Sequence, residues 1–275
     1  MKFFIFIIFF HICIFTYSQI RIYPDRKIDF LVRDVLLENK ESIIVKNIKI
    51  SKQKNMISLF ESENIEIFKK GILLSTGNVF AVKGPNDKKD ISTRNYLKGD
   101  LELNKIVNSE TKDAVVLEFD FVPMSDSISF NYFFASEEYP EYVGSNLNDV
   151  FAFIITNEEL GIKKNLAILP NGEPITINTI NKNKNSSFFI ENPIFHESFI
   201  KSKSNEVYEL SRFCQFDGFT KILTAGSKVV PNSTYHIKIA IADVGDYLLD
   251  SAVFLIGNSF KNVYKKNKKT NPLKN

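Results

Sequence analysis

From residue 113 onward the chain places its apolar residues with a period of two, the spacing of strands whose side chains point alternately to opposite faces of a sheet. Val115, Leu117, Phe119 and Phe121 alternate with Val116, Glu118, Asp120 and Val122. Ile128, Phe130, Tyr132 and Phe134 alternate with Ser129, Asn131, Phe133 and Ala135, and Tyr235, Ile237, Ile239 and Ile241 keep the same rhythm. Residues 150–155 are almost continuously apolar, as expected of a strand buried on both faces. Further strand-like runs fall at 43–50, 68–74, 219–224 and 252–256. Helical spacing occurs at 28–37, where Ile28, Leu31, Val32, Val35 and Leu36 share one side. The pattern predicts an all-β fold: an antiparallel β-sandwich or jelly roll with a short N-terminal helix.

No repeat of fixed period is present, and one domain covers 26–260. With 44% hydrophobic residues, 26 Phe and 10 Tyr, there is ample material for a core. Residues 83–112 are polar and read as a long loop. Residues 166–180 read as a hairpin-like turn around Asn171-Gly172, and 181–215 as an insertion.

The chain ends have their own character. Lys2 precedes an apolar run at 3–15, followed by Thr16-Tyr17-Ser18, which together read as a signal peptide over 1–18. The run is shorter than the roughly 20 residues of a membrane-crossing helix, so membrane contact requires that the leader stay uncleaved. Cys13 lies between Ile12 and Ile14 rather than among the small residues of a lipoprotein signal. Residues 261–275 carry six Lys and no acid, and read as a basic, disordered tail.

The formal charge of +3 is set by these ends. Without the six tail lysines and Lys2, 28 basic residues face 32 acidic ones, so the body is acidic. A nucleic-acid partner is therefore not expected, because its basic footprint would lie on the folded domain. Removal of the leader leaves Cys214 as the sole cysteine, which excludes an intrachain disulfide and a thiolate zinc site. His196 and His236 are isolated, and His236 falls on the outward face of its strand.

Two acidic segments stand out. The first, at 134–153, holds Glu137, Glu138, Glu141 and Asp149 with Tyr139 and Tyr142 between them; the second holds Asp243, Asp246 and Asp250. Carboxylates this dense repel one another unless they are solvated, separated or joined by a cation. Calcium suits such a set, taking about six to eight oxygens from adjacent loops. The spacing of Asp243, Asp246 and Asp250 is not that of an EF-hand, so a calcium site would lie between strand ends. Glu137, Glu138, Asp149, Asp243, Asp246 and Asp250 are its candidate ligands, and Tyr139, Glu141 and Tyr142 the candidate contacts to a glycan or protein partner. The plainer reading is that these acids cap turns in solvated loops.

Catalytic patterns are weaker. Ser136 and Ser251 lie outside any Gly-x-Ser-x-Gly elbow, and no phosphate-binding glycine loop is present. Two carboxylates roughly 5–9.5 Å apart would serve a glycoside hydrolase. A carbohydrate-active hydrolase built on the two acidic segments is thus one alternative, and a purely structural envelope module is another.

Several segments taken in order resemble the choice-of-anchor L domain: GILLSTGNV (71–79), GPN (84–86), AVVLEFDFVP (114–123), the 128–153 stretch with SEEYPEY, AILPNGEPITINTI (167–180), GFTKILTA (218–225) and the 234–255 stretch with IADVGD and DSAVF. The resemblance runs from about 26 to 260. It implies an exported domain of bacterial surface proteins, with adhesion or attachment as its expected role. Such proteins commonly continue into a C-terminal sorting domain, whereas here the last strand is followed by 261–275 alone. The chain is thus expected to be secreted, periplasmic or at the cell surface: a noncatalytic binding or adhesion domain, with calcium as its one candidate cofactor and an unidentified surface glycan or protein as partner.

Overall fold

The computed structural model describes residues 20–62, 69–194 and 213–263. The predicted leader, nearly all of the predicted tail, His196 and part of the 181–215 segment lie outside these residues.

Two antiparallel sheets pack face to face as a sandwich. The larger follows the order β1 (Arg21–Tyr23), β3 (Ile57–Glu61), β4 (Lys70–Ser75), β14 (Ser251–Ile256), β6 (Ser127–Ser136), β11 (Gly218–Thr220) and β10 (Phe189–Glu191). Strands β12 (Leu223–Lys228) and β15 (Lys261–Asn262) also pair with the long β6. The smaller sheet runs β2 (Ile43–Ser51), β5 (Thr111–Pro123), β13 (Tyr235–Val244), β7 (Val150–Asn157) and β8 (Ile162–Asn165), with β9 (Ile175–Thr176) on β7.

The period-two residues meet between the sheets. Leu117, Phe119 and Phe121 of β5, Phe151 and Phe153 of β7, and Ile237 and Ile239 of β13 face Phe130, Tyr132 and Phe134 of β6 and Val253 and Leu255 of β14. The Phe130 and Phe153 rings meet edge to face with centroids 4.0 Å apart. Each such buried side chain contributes roughly 1.5–3 kcal/mol.

Both outer faces are partly covered as well, which is why several strands lack polar residues on either side. On the larger sheet Leu73, Phe133 and Phe254 lie beneath Val79, Val82 and Phe213. On the smaller sheet Val116, Ala152, Ile154 and Ala240 lie beneath Leu103 of helix α2 (Leu101–Val107). His236 stands on the outer face, half exposed, with Nδ1 2.8 Å from Asp120.

Some expectations need correction. The predicted loop at 83–112 contains α2. Asp100 caps it, its Oδ1 accepting from the Glu102 and Leu103 N–H groups, and Asn108 ends it in a left-handed conformation. Strand β3 escaped notice because Ser58 interrupts a run too short to show a period. The 166–180 turn closes through a single bridge between Ile168 and Pro174 rather than two long strands. The N-terminal helix is a turn of α-helix, α1 (Ile28–Phe30), widening into a π-helix (Leu31–Leu36), and it buries Leu31, Val32, Val35 and Leu36.

Candidate functional site

The two acidic segments are the crossings between the sheets, and they lie at one end of the sandwich. β6 ends at Ser136 and the chain crosses to β7 at Val150; β13 ends at Val244 and crosses back to β14 at Ser251. Register fixes their proximity, since Ser251 pairs with Ser136 in the larger sheet and Ala242 with Val150 in the smaller.

Burial inside this end is nearly complete. Glu137 and Glu138 are 1% exposed, Asp149 and Asp250 are fully buried, and Asp243 is 1% exposed. Asp243 is not a loop residue, contrary to the sequence reading. It sits within β13, two residues beyond Ile241, where the pairing with β5 slips by a bulge. Asp113, opposite the bulge, is also fully buried, with φ +46°.

A strap at 91–97 closes the end. The Ile91 N–H donates to Glu137 Oε1 at 3.0 Å and the Thr93 N–H to Asp250 Oδ1 at 2.8 Å. The Asn95 and Leu97 N–H groups donate to Asp113 Oδ2 and Oδ1 at 2.9 and 2.6 Å. Alternate backbone donors of one polar segment are thus spent on three carboxylates. Asp149 is held from both sheets: Ser251 Oγ donates to its Oδ2 at 2.6 Å, and the Val244 N–H to its Oδ1 at 3.0 Å. Gly77 supplies room, because a Cβ there would coincide with the Asp250 carboxylate.

Other oxygens stay unmatched. Glu137 Oε2, Glu138 Oε2, Asp250 Oδ2 and both oxygens of Asp243 are buried without a hydrogen bond. Thr76 lies near enough to favour ionised Asp243, yet no bond of normal geometry reaches either oxygen. Burial pushes Glu137 up to about 8 and Asp250 up to about 7, with neighbouring acids adding to both. Burial also raises Glu138, Asp149 and Asp243, and each is raised further by other carboxylates: Glu138 by Asp149 and Asp246, Asp243 by Asp149 and Asp250. Among the described residues, no basic side chain is a main cause acting against these shifts.

Of the sequence candidates, Glu137, Glu138, Asp149, Asp243 and Asp250 come together inside. Asp246 is only partly buried, and its Oδ1 accepts from the Leu248 N–H. Tyr139 is not a surface contact. It is fully buried, its hydroxyl donates to the Ile180 carbonyl at 2.6 Å, and its ring packs on Phe189. Glu141 and Tyr142 are exposed. Sequence reasoning missed Asp113, Gly77 and the strap; a lone Asp at a strand start and a polar loop carry no signal of their own. Among the described residues, no group of three or more His, Cys, Asp or Glu side chains is placed so that it could hold a metal ion.

The choice-of-anchor L domain family matches residues 21–261, nearly the whole chain, and the chain belongs to that family. Membership makes it a surface or anchor module of the exported kind. No curated protein and no solved structure matches it significantly. No helix among the described residues is long and apolar enough to cross a membrane.

Proposed function

We propose that this chain is a noncatalytic binding domain acting in surface adhesion, whose two crossing loops are clamped by a calcium ion. The observation that carries this reading is the set of buried, unpaired oxygens on Glu137, Glu138, Asp243 and Asp250, where no basic group among the described residues is a main offsetting influence. Buried carboxylates without partners cost several kcal/mol each, or take up protons. A divalent cation would remove that cost. The donor set is all oxygen, which suits calcium rather than zinc, and calcium tolerates irregular geometry. Glu138, Asp149, Asp243 and Asp250 would draw inward as ligands, with Glu137 and Asp246 completing the charge around them.

Noncatalytic action is favoured over hydrolysis because the carboxylates are sealed beneath the strap. A sugar-sized substrate has no approach to them here. The working compartment, whether secreted, periplasmic or cell-surface, follows from the export reading.

Thermal unfolding with calcium and with chelator tests the clamp. Ligand at about 100 times its dissociation constant adds roughly 2.7 kcal/mol to stability. A rise of several degrees in calcium, lost in Asp243→Asn and Glu138→Gln, is expected. An unchanged midpoint in well-folded protein would sink the clamp and leave a structural module whose acids are held by protons.

A further inference from the structure

We propose that Tyr96 and Tyr247, flanked by Arg94, Lys98 and Lys112, form a docking surface for an acidic polysaccharide. The inference rests on the surface-binding reading and adds to it the contact residues and the ligand class.

Tyr96 is 67% exposed and has φ +55°. Bulky side chains seldom adopt this conformation, and they keep it where the surroundings impose it. The cause is visible on both sides of the residue. The Asn95 and Leu97 N–H groups converge on the buried Asp113 carboxylate, and Asn95 Nδ2 donates to the Thr76 carbonyl at 2.7 Å. The backbone is pinned before and after Tyr96, so the ring is held outward. A rigid aromatic displayed in this way loses little entropy on binding.

Tyr247, from the second crossing, lies beside it, with ring centroids 5.3 Å apart and planes at 51°. The two halves are tied together, since the Leu249 N–H donates to Ser92 Oγ and the Thr93 N–H to Asp250. Lys112 Nζ stands 4.8 Å from the Tyr247 centroid. Arg94 and Tyr96 are alternate exposed residues of the strap, and exposed Lys98 follows directly after it. Acidic neighbours of the patch include exposed Glu110, 3.7 Å from Lys112, and partly buried Asp246, whose Oδ1 accepts from the Leu248 N–H, while the Asp113 carboxylate lies beneath Tyr96. A cationic, aromatic patch therefore sits on a domain whose body is acidic.

The chemistry selects the ligand. A tyrosine face takes the apolar C–H face of a pyranose ring, and the three cations take carboxylate or sulfate groups along the chain. Nucleic acid would use the same charges, but it stacks successive bases on separate aromatic platforms, and these two rings pack against each other with centroids 5.3 Å apart.

Affinity electrophoresis and calorimetry of the purified protein with polygalacturonate, dextran and oligo(dT), at low and high salt, test the proposal. Binding to polygalacturonate that weakens with salt, and little binding to dextran, are expected. Tyr96→Ala and Tyr96→Gly should each lower affinity about tenfold or more, the equivalent of about 1.4 kcal/mol. Glycine fits the positive φ, so the Tyr96→Gly melting midpoint should stay at or above that of the parent and exclude misfolding as the cause. Arg94→Ala and Lys98→Ala should reduce both affinity and its salt dependence. Absence of polygalacturonate binding, equal binding to dextran, tighter binding to oligo(dT), or full affinity in Tyr96→Gly would each overturn it. Calcium-dependent stability surviving any of those results would leave the clamp standing and remove this surface alone.

Discussion

Ser251 Oγ donates to Asp149 Oδ2 at 2.6 Å, and this bond joins the larger sheet to the smaller at the end where the chain crosses between them. Both residues are fully buried, so water cannot replace the donor. Ser251→Ala is expected to cost about 1–3 kcal/mol, because it leaves a buried carboxylate oxygen unmatched. Denaturant unfolding checks this, and a loss well below 1 kcal/mol would mean that the end relaxes to admit water.

The raised carboxylates set a pH dependence whose sign is opposite to that of salt-bridged acids. Glu137 and Asp250 hold their protons to about 8 and about 7 in the folded state, against ordinary values of 4.5 and 3.8 when unfolded. Between those limits the folded form carries more protons than the unfolded one. Stability is therefore fully present below the unfolded values and is lost as pH rises through the folded ones. Metal-free protein should melt at lower temperature in mildly alkaline than in mildly acidic buffer. Calcium should flatten the slope by taking the place of the protons. A midpoint that climbs with pH in chelator would contradict the electrostatics described for this end.

Gly77 is constrained by space. A methyl group there collides with the Asp250 carboxylate and pulls it from the Thr93 N–H. Gly77→Ala should cost about 1–3 kcal/mol, the usual range for overpacking a filled interior. Hydrogen exchange offers a local readout: protection should fall at Thr93 before it falls in the central strands.

Substituting Asp243 separates the two roles of its charge. In chelator, Asp243→Asn removes a repelled buried carboxylate and should leave stability unchanged or higher at alkaline pH. In calcium, the same variant should lack the metal-dependent increment. Parallel melting curves test both halves, and a large loss in chelator would show that Asp243 has a structural partner.

At the core, Phe153→Ala should cost about 3–5 kcal/mol, since the ring meets Phe130 edge to face between the sheets. Chemical denaturation measures it directly. A smaller loss would indicate that the sheets close over the space.

Much of the fold was legible because β-structure writes itself as a two-residue period. Val115 to Phe121 and Tyr235 to Ile241 showed in advance which side chains face inward, and the structure places them between the sheets. Helix α2 was read as loop, because its signals, Asp100 as cap and Leu103, Ile106 and Val107 on one side, are hidden within a polar stretch. Tyr139 misled because an aromatic residue among acids looks the same in sequence whether it faces solvent or lies beneath Phe189.

By itself the sequence determined the sandwich, its inward faces and the presence of two acidic segments, since periodicity and composition are local properties of the chain. The tertiary structure alone decided that those segments meet at one end and that their carboxylates are buried. It also decided that the 91–97 strap spends its N–H groups on them. The physical reason is register: pairing Ser251 with Ser136 and Ala242 with Val150 is a long-range choice that no window of sequence contains. Burial then turns ordinary acids into strained, proton-holding ones.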